Sequence, residues 1–136
     1  MKIALFSDIH ANIDALKPVL KDMHERSPDA VYCLGDLVGY APYPNEVVEA
    51  IRERGIPVIA GNYRHAINIG SVGKPKDGDP RACYVMLEWE DDLDLAKADG
   101  LNVEFIRVEY DVEKAAKAVE DSDLPGAFAD MLRNGG

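Results

Sequence analysis

Three short apolar segments, separated by two helical patterns, constrain the fold of the first 62 residues more than any other feature. They are KIALF (2–6), AVYCL (30–34) and IPVIA (56–60), each with the β-branched or aromatic residues typical of buried strands. Strand, helix, strand, helix, strand in this order predicts a parallel sheet with right-handed crossovers. We therefore expect an α/β fold whose N-terminal half is a parallel βαβαβ unit.

The two intervening helices are defined by hydrophobic spacing and by residues typical of helix ends. In the first, apolar side chains recur at i, i+3, i+4 and i+7 from Leu16, and Asn12 is a suitable N-cap. The second lies in PNEVVEAIRERG (44–55), where a Pro-Asn pair favours a start and the glycine favours an end. Both helices are amphipathic, so each is expected to pack one face on the sheet.

The pattern changes in the second half of the chain, after a stretch rich in glycine and proline. The segments ACYVMLEW (82–89) and LNVEFIRVEY (101–110) flank an acidic loop, which predicts an antiparallel hairpin. In the second strand, Val103, Phe105 and, after a one-residue slip, Val108 have the spacing of core-facing side chains. Two amphipathic helices are expected to close the chain.

Composition and charge restrict the class of protein and its partners. The 136 residues are 47% hydrophobic and 29% charged, as in an ordinary folded protein, so we interpret residues 1–136 as one domain. The formal net charge of −10 argues against duplex nucleic acid as a partner, because that requires a basic surface. No apolar run approaches the roughly 18 residues of a membrane-spanning helix, and the N-terminus lacks a signal-peptide pattern. We expect a cytoplasmic protein that does not bind membranes.

Polar residues directly follow each of the three predicted parallel strands. Asp8 and His10 lie in SDIH after the first, Asp36 in GDLVG after the second and Asn62 in GNY after the third. The carboxyl ends of such strands form the ligand crevice of open α/β sheets, where these distant residues would meet. Because strand side chains have a period of two, Asp8 and His10 should point the same way. A loop aspartate beside a helix-entry histidine is the alternative for this pair, but three converging strand ends favour a metal site.

These segments resemble the calcineurin-like metallophosphoesterases. SDIHAN, LGDLVGYAPYPNEVV and AGNY are similar to the first three motifs of that family in order and spacing. INIGSVGKPKDGDPRACYVMLE and VEFIRVEYDVEKAAKA resemble the C-terminal section of its small prokaryotic phosphodiesterase branch. The resemblance implies a compact α/β sandwich flanked by helices, here shortened. It also implies hydrolysis of a phosphodiester, or of a phosphomonoester, in a small phosphoester or nucleotide substrate by a metal-activated hydroxide.

Carried over residue by residue, the resemblance assigns a set of metal ligands. Asp8 and His10 would hold one ion, Asp36 would bridge two, and Asn62 would hold the second. Mn²⁺ is the expected metal for these oxygen and imidazole ligands, with Fe, Ni or Zn as alternatives.

Other polar residues near these motifs are candidates for contacting the substrate. Tyr63 occupies a position where the family has His or Tyr, and Arg64 would clamp a phosphate or lie on the surface. Tyr40 would wall the substrate pocket or pack between loop and helix. The lysines of GKPKDGDPR (73–81) would meet anions, although this composition is more typical of a turn.

The family's two later histidine motifs, His-Gly and Gly-His-Thr-His, have no counterpart here. Besides His10, the chain contains only His24 and His65. Three arrangements would compensate: His65, near Asn62, replaces a lost ligand; a second subunit supplies ligands; or the first two motifs hold a single ion. The missing segment would also leave a sheet edge uncovered, which predicts a homo-oligomer. The alternative function is a catalytically impaired remnant that binds metal or phosphate, or that mediates dimerisation.

Overall fold

The structure, a computed structural model, describes residues 1–58, 70–90 and 101–136 of the chain. These residues form four strands and four helices. In chain order they are β1 (Lys2–Phe6), α1 (Ile13–Arg26), β2 (Ala30–Cys33), α2 (Pro44–Glu53), β3 (Ala82–Trp89), β4 (Leu101–Val108), α3 (Val112–Glu120) and α4 (Ala127–Asn134).

The described strands form one mixed sheet in the order β2-β1-β3-β4. β1 and β2 are parallel, and β3 and β4 pair as the predicted antiparallel hairpin. β3 also pairs antiparallel with β1, a contact that the sequence did not predict. The predicted third parallel strand is described only as far as Val58, which makes one parallel bridge with Cys33. The mixed α/β fold class is confirmed.

Helix α1 covers the centre of this sheet. It begins where predicted, because the Asn12 side chain accepts a hydrogen bond from the backbone N–H of Ala15, at 3.1 Å. Its buried side chains, which include Leu16 and Val19, pack in one cluster with Phe6 of β1. Helix α2 begins with its proline at the first turn, as expected. Both crossover helices are therefore correctly predicted.

The prediction of which residues of β4 face the core is wrong for two of the three. Val103 and Phe105 are 42% and 55% exposed, whereas Ile106 is 5% exposed and belongs to the main core. Val108 does pack against that core. The register explains the error: Tyr84, in the core face of β3, is paired with Ile106, so Phe105 lies on the opposite face.

The C-terminal helices form a second, smaller core. Ala115, Ala116 and Val119 of α3 are buried as predicted, and Leu132 of α4 packs with them. Phe128 is partly buried beside this cluster and comes close to the ends of the parallel strands. Among the described helices, none has the length and hydrophobicity required to cross a membrane.

Candidate metal centre

Two loops that follow the parallel strands β1 and β2 form the candidate site. Their backbones are joined by hydrogen bonds: the N–H groups of Ile9 and His10 both donate to the carbonyl of Asp36, at 3.0 and 3.2 Å. The N–H of Ala11 donates to the carbonyl of Leu37 at 2.8 Å. These hydrogen bonds fix the loop after β1, the first ligand loop, directly against the loop after β2, the second ligand loop.

The backbone of these loops is strained in a way that the sequence did not reveal. Asp8, His10, Ala11, Asp36 and Tyr40 all have positive φ, between 53° and 63°. L-residues adopt this left-handed region at a cost of about 1 kcal/mol or more each, and such strain concentrates at functional sites. The strand-period argument for Asp8 and His10 is therefore wrong, since neither residue lies in extended backbone. The convergence of these two residues with Asp36 at the ends of the parallel strands is correct.

Three side chains predicted from the strand ends come together here. One ligand atom from each of Asp8, His10 and Asp36 can be chosen so that all three lie within 4.8 Å of one another. The imidazole lies between the carboxylates, with Nε2 3.6 Å from Asp8 Oδ1 and Nδ1 3.8 Å from Asp36 Oδ1. Two carboxylates and one imidazole at this spacing form half of the ligand set for a divalent metal.

The environment of His10 supports a metal fit. The residue is 5% exposed, and its Nδ1 is the only fully buried side-chain nitrogen or oxygen of the described residues without a hydrogen-bond partner. A buried polar atom left unsatisfied is costly, so a free ring nitrogen at this position fits coordination of a metal ion. The ring is held in place by Tyr40, which contacts it edge-on at 4.8 Å between ring centroids.

Electrostatics at Asp8 favour the ionised form that a metal requires. The polar contact with His10 is the largest cause that lowers the pKa of Asp8, and Ser7 and Lys76 also lower it. Partial burial of the carboxylate opposes them but does not outweigh them. Asp8 is therefore a carboxylate at neutral pH, ready to act as a ligand.

A third loop, which contains residues 71–73, is hydrogen-bonded to the backbone of the first ligand loop. The N–H of Val72 donates to the carbonyl of Ser7 at 3.0 Å, and the N–H of Gly73 donates to the carbonyl of Asp8 at 2.9 Å. The Ser71 hydroxyl donates to the same Asp8 carbonyl at 2.9 Å. The sequence predicted a turn at this stretch but missed its role, because the contact joins segments more than sixty residues apart.

Comparison with known protein families identifies the family of this chain. Residues 1–113 match the model of the calcineurin-like phosphoesterases. The chain belongs to this family. The recognition made from the sequence is therefore confirmed.

Relatives and solved structures agree with this assignment. The chain is 45% identical over 65 residues to the uncharacterized protein MJ0912 of Methanocaldococcus jannaschii, a match that spans 48% of this chain and 27% of that protein. A metallophosphoesterase from Sphaerobacter thermophilus superimposes with a TM-score of 0.75 at 21% identity, over 100% of this chain and 99% of that chain. The hypothetical protein PH1004 from Pyrococcus horikoshii OT3 gives 0.76 at 16% identity, over 99% and 98%. These similarities are consistent with a shortened phosphoesterase fold.

The remaining candidates fall into two groups. Asn62, Tyr63, Arg64 and His65 lie outside the described residues, so their predicted roles stay predictions. Tyr40 lies beside the candidate metal centre, where its ring contacts His10 and the α4 side chain Phe128, with centroids 4.8 Å apart in each pair. It therefore combines the packing role with a position beside the ligands.

Proposed function

We propose that this protein is a metal-dependent phosphoesterase that hydrolyses phosphodiester bonds, with phosphomonoesters as a second substrate class. The observation that carries the proposal is the cluster of Asp8, His10 and Asp36 around the unsatisfied, buried Nδ1. Membership of the calcineurin-like phosphoesterase family supports the reaction class. A small phosphoester or nucleotide is the proposed substrate.

The chain's own residues would hold and orient the metal. Asp8 and His10 would hold a metal from the loop after β1, and Asp36 would hold it from the loop after β2 and would be the shared ligand of a two-ion site. A divalent metal bound there would supply Lewis acidity at the phosphoryl oxygen and a hydroxide at neutral pH. Mn²⁺ is proposed, since hard carboxylate oxygens predominate. The hydrogen bonds between the two loops keep the ligands positioned before the substrate arrives.

Four further residues enter the proposal from the sequence. Asn62 and His65 are proposed as additional ligands, with His65 replacing one histidine of the family's later motifs. Arg64 and Tyr63 are proposed to contact the substrate phosphate.

A second candidate function is a remnant that binds metal or phosphate without turnover. The observation in its favour is the histidine count: the chain has three in all, and the family's two later histidine motifs are absent. In this case the metal cluster would remain intact but hydrolysis would not occur.

Hydrolysis of bis-p-nitrophenyl phosphate by metal-stripped protein, with and without added Mn²⁺, distinguishes the two. We expect turnover only with metal, and a loss of at least about a hundredfold in Asp36→Asn, which keeps the shape of the side chain but removes its charge. His24→Gln is the matched control, because His24 is an exposed histidine at the far end of α1. Mn²⁺ binding by calorimetry without turnover would support the remnant and refute the enzyme.

A further inference from the structure

A cavity that Asp8 lines together with several basic residues contains more positive charge than the described residues neutralise. This cavity, called here the Asp8 cavity, has a volume of about 340 Å³ and is lined by Asp8, Lys74, Lys76, Asp77, Phe105 and Arg107 among others. Its wall thus joins a proposed metal ligand to three basic side chains. The partners of each charge decide what the cavity can bind.

Arg107 is already neutralised. Its guanidinium donates a hydrogen bond to the Asp77 carboxylate, and its Nε lies 4.0 Å from a carboxylate oxygen of Asp79. The Asp77 and Arg107 charges therefore cancel within the cavity wall. Because Arg107 is already paired with a carboxylate, it is not free to bind an anion.

Lys74 has no such partner. It is 6% exposed, and within the described part of the chain it makes neither an ion pair nor a side-chain hydrogen bond. Its Nζ lies 4.1 Å from the centroid of the Tyr40 ring and 6.0 Å from that of Phe128. Such cation–π contacts offset part of the cost of burying an ammonium but do not supply a counter-charge.

Lys76 adds a second ammonium to the same region. It is exposed, and it lines the same cavity as Asp8 and Lys74. Burial is the larger cause of the lowered pKa of Lys74. With Asp8 engaged by a metal, the two lysines would face the cavity without a carboxylate of their own among the described residues.

We propose that the Asp8 cavity is a second anion subsite, in which Lys74 and Lys76 bind a non-reacting anionic group of the substrate. The preferred substrates are then phosphoesters that carry a further phosphate or carboxylate beside the scissile phosphate. The substrate preference rests on the proposed function, whereas anion binding by the two lysines does not. The observation that favours an anionic ligand is a cavity lined by two lysines, one of them 6% exposed as a residue, whose ammonium groups have no ion-pair partner among the described residues.

A matched pair of substrates tests the preference. The probes are p-nitrophenyl phenyl phosphate and its 4-carboxyphenyl analogue, which have the same leaving group and differ by one negative charge. With Mn²⁺-loaded protein we expect kcat/KM to be about tenfold higher for the carboxylate. Lys76→Met should reduce this ratio to about one, whereas Lys117→Met, an exposed lysine of α3, should leave it unchanged. A ratio near one in the wild type, or equal losses on both substrates in Lys76→Met, would overturn the proposal.

A second measurement does not depend on turnover. Acetylation of individual lysines in metal-free protein is followed by mass spectrometry with and without inorganic pyrophosphate. We expect at least fivefold slower labelling of Lys76 with pyrophosphate and no protection of Lys117. If neither substrate is hydrolysed, the proposed function fails and this labelling alone decides the subsite. Equal labelling of Lys76 in both conditions would overturn anion binding in the Asp8 cavity.

Discussion

A methyl group added at Gly73 should disturb the metal centre, because this glycine packs against the backbone between two proposed ligands. A Cβ at this position would lie 1.8 Å from the carbonyl oxygen of Ile9 and 2.5 Å from its carbonyl carbon. Non-bonded heavy atoms normally approach no closer than about 3.3 Å, so the two loops must separate by roughly 1.5 Å. The φ of Gly73 lies outside the left-handed range, so the cost of Gly73→Ala is steric.

The size of the effect follows from the contacts that this separation would break. The N–H of Gly73 donates to Asp8, the N–H of Val72 donates to Ser7, and the Asn12 side chain donates to the Gly73 carbonyl at 3.1 Å. Each lost hydrogen bond removes about 1 kcal/mol, and overpacking alone costs about 1–3 kcal/mol. We expect Gly73→Ala to lower the free energy of unfolding by about 4–6 kcal/mol, a large part of a typical total of about 5–15 kcal/mol.

Urea unfolding of metal-free protein and calorimetric titration with Mn²⁺ measure the two consequences. We expect a lower urea midpoint and at least tenfold weaker Mn²⁺ binding, because Ile9 separates Asp8 from His10. Gly126→Ala is the control: nothing lies within 4 Å of its added methyl, so its change should stay below about 0.5 kcal/mol. The reasoning is refuted if Gly73→Ala stays within about 1 kcal/mol of the wild type and binds Mn²⁺ equally well.

Three further substitutions test other parts of the structure. Tyr84→Phe removes the 2.7 Å hydrogen bond to Asp22 and should lower the free energy of unfolding in urea by about 1 kcal/mol; an unchanged value would contradict this role. Hydrogen bonds from Arg81 lower the pKa of Asp79 to about 2. The ionised Asp79 carboxylate therefore stabilises the folded protein fully above about pH 4, and this stabilisation is lost as the pH falls through about 2. Asp79→Asn should therefore flatten the fall of Tm between these pH values, and a curve parallel to the wild type would exclude this. If the expected homo-oligomer forms through exposed β4, Phe105→Ser should shift sedimentation towards the monomer, whereas a monomeric wild type at micromolar concentration would disprove it.

The sequence predicted those features that depend on local pattern or on a general rule of topology. The helical spacing of apolar residues and the Asn12 N-cap predicted the position of α1. The alternation of strands and helices predicted that β1 and β2 are parallel. From there, the rule that ligands bind at the carboxyl ends of strands brought Asp8, His10 and Asp36 together. No further information was needed, because each step used residues close in sequence or the fixed handedness of crossovers.

The errors concern features set by long-range pairing. The side-chain face of β4 depends on its register with β3, and a shift of one residue exchanges the two faces. The apolar residues Val103, Phe105, Ile106 and Val108 fit either face, so alternation alone could not choose between them. Likewise, the antiparallel pairing of β1 with β3 joins residues at least eighty positions apart, and the packing of Gly73 on Ile9 joins residues more than sixty positions apart.

At the candidate metal centre, the free-energy cost of the strained backbone and the stabilisation from backbone hydrogen bonds are of similar size. Five residues with left-handed backbone surround the site, at a cost of about 1 kcal/mol each. The backbone hydrogen bonds between the two ligand loops and from Val72 and Gly73 contribute about 1 kcal/mol each in the opposite direction. The fold therefore holds the ligands in place before an ion binds, and the buried Nδ1 of His10 keeps a further penalty that an ion would remove. Metal binding to this site should accordingly stabilise the folded protein by linkage, without first having to order the loops.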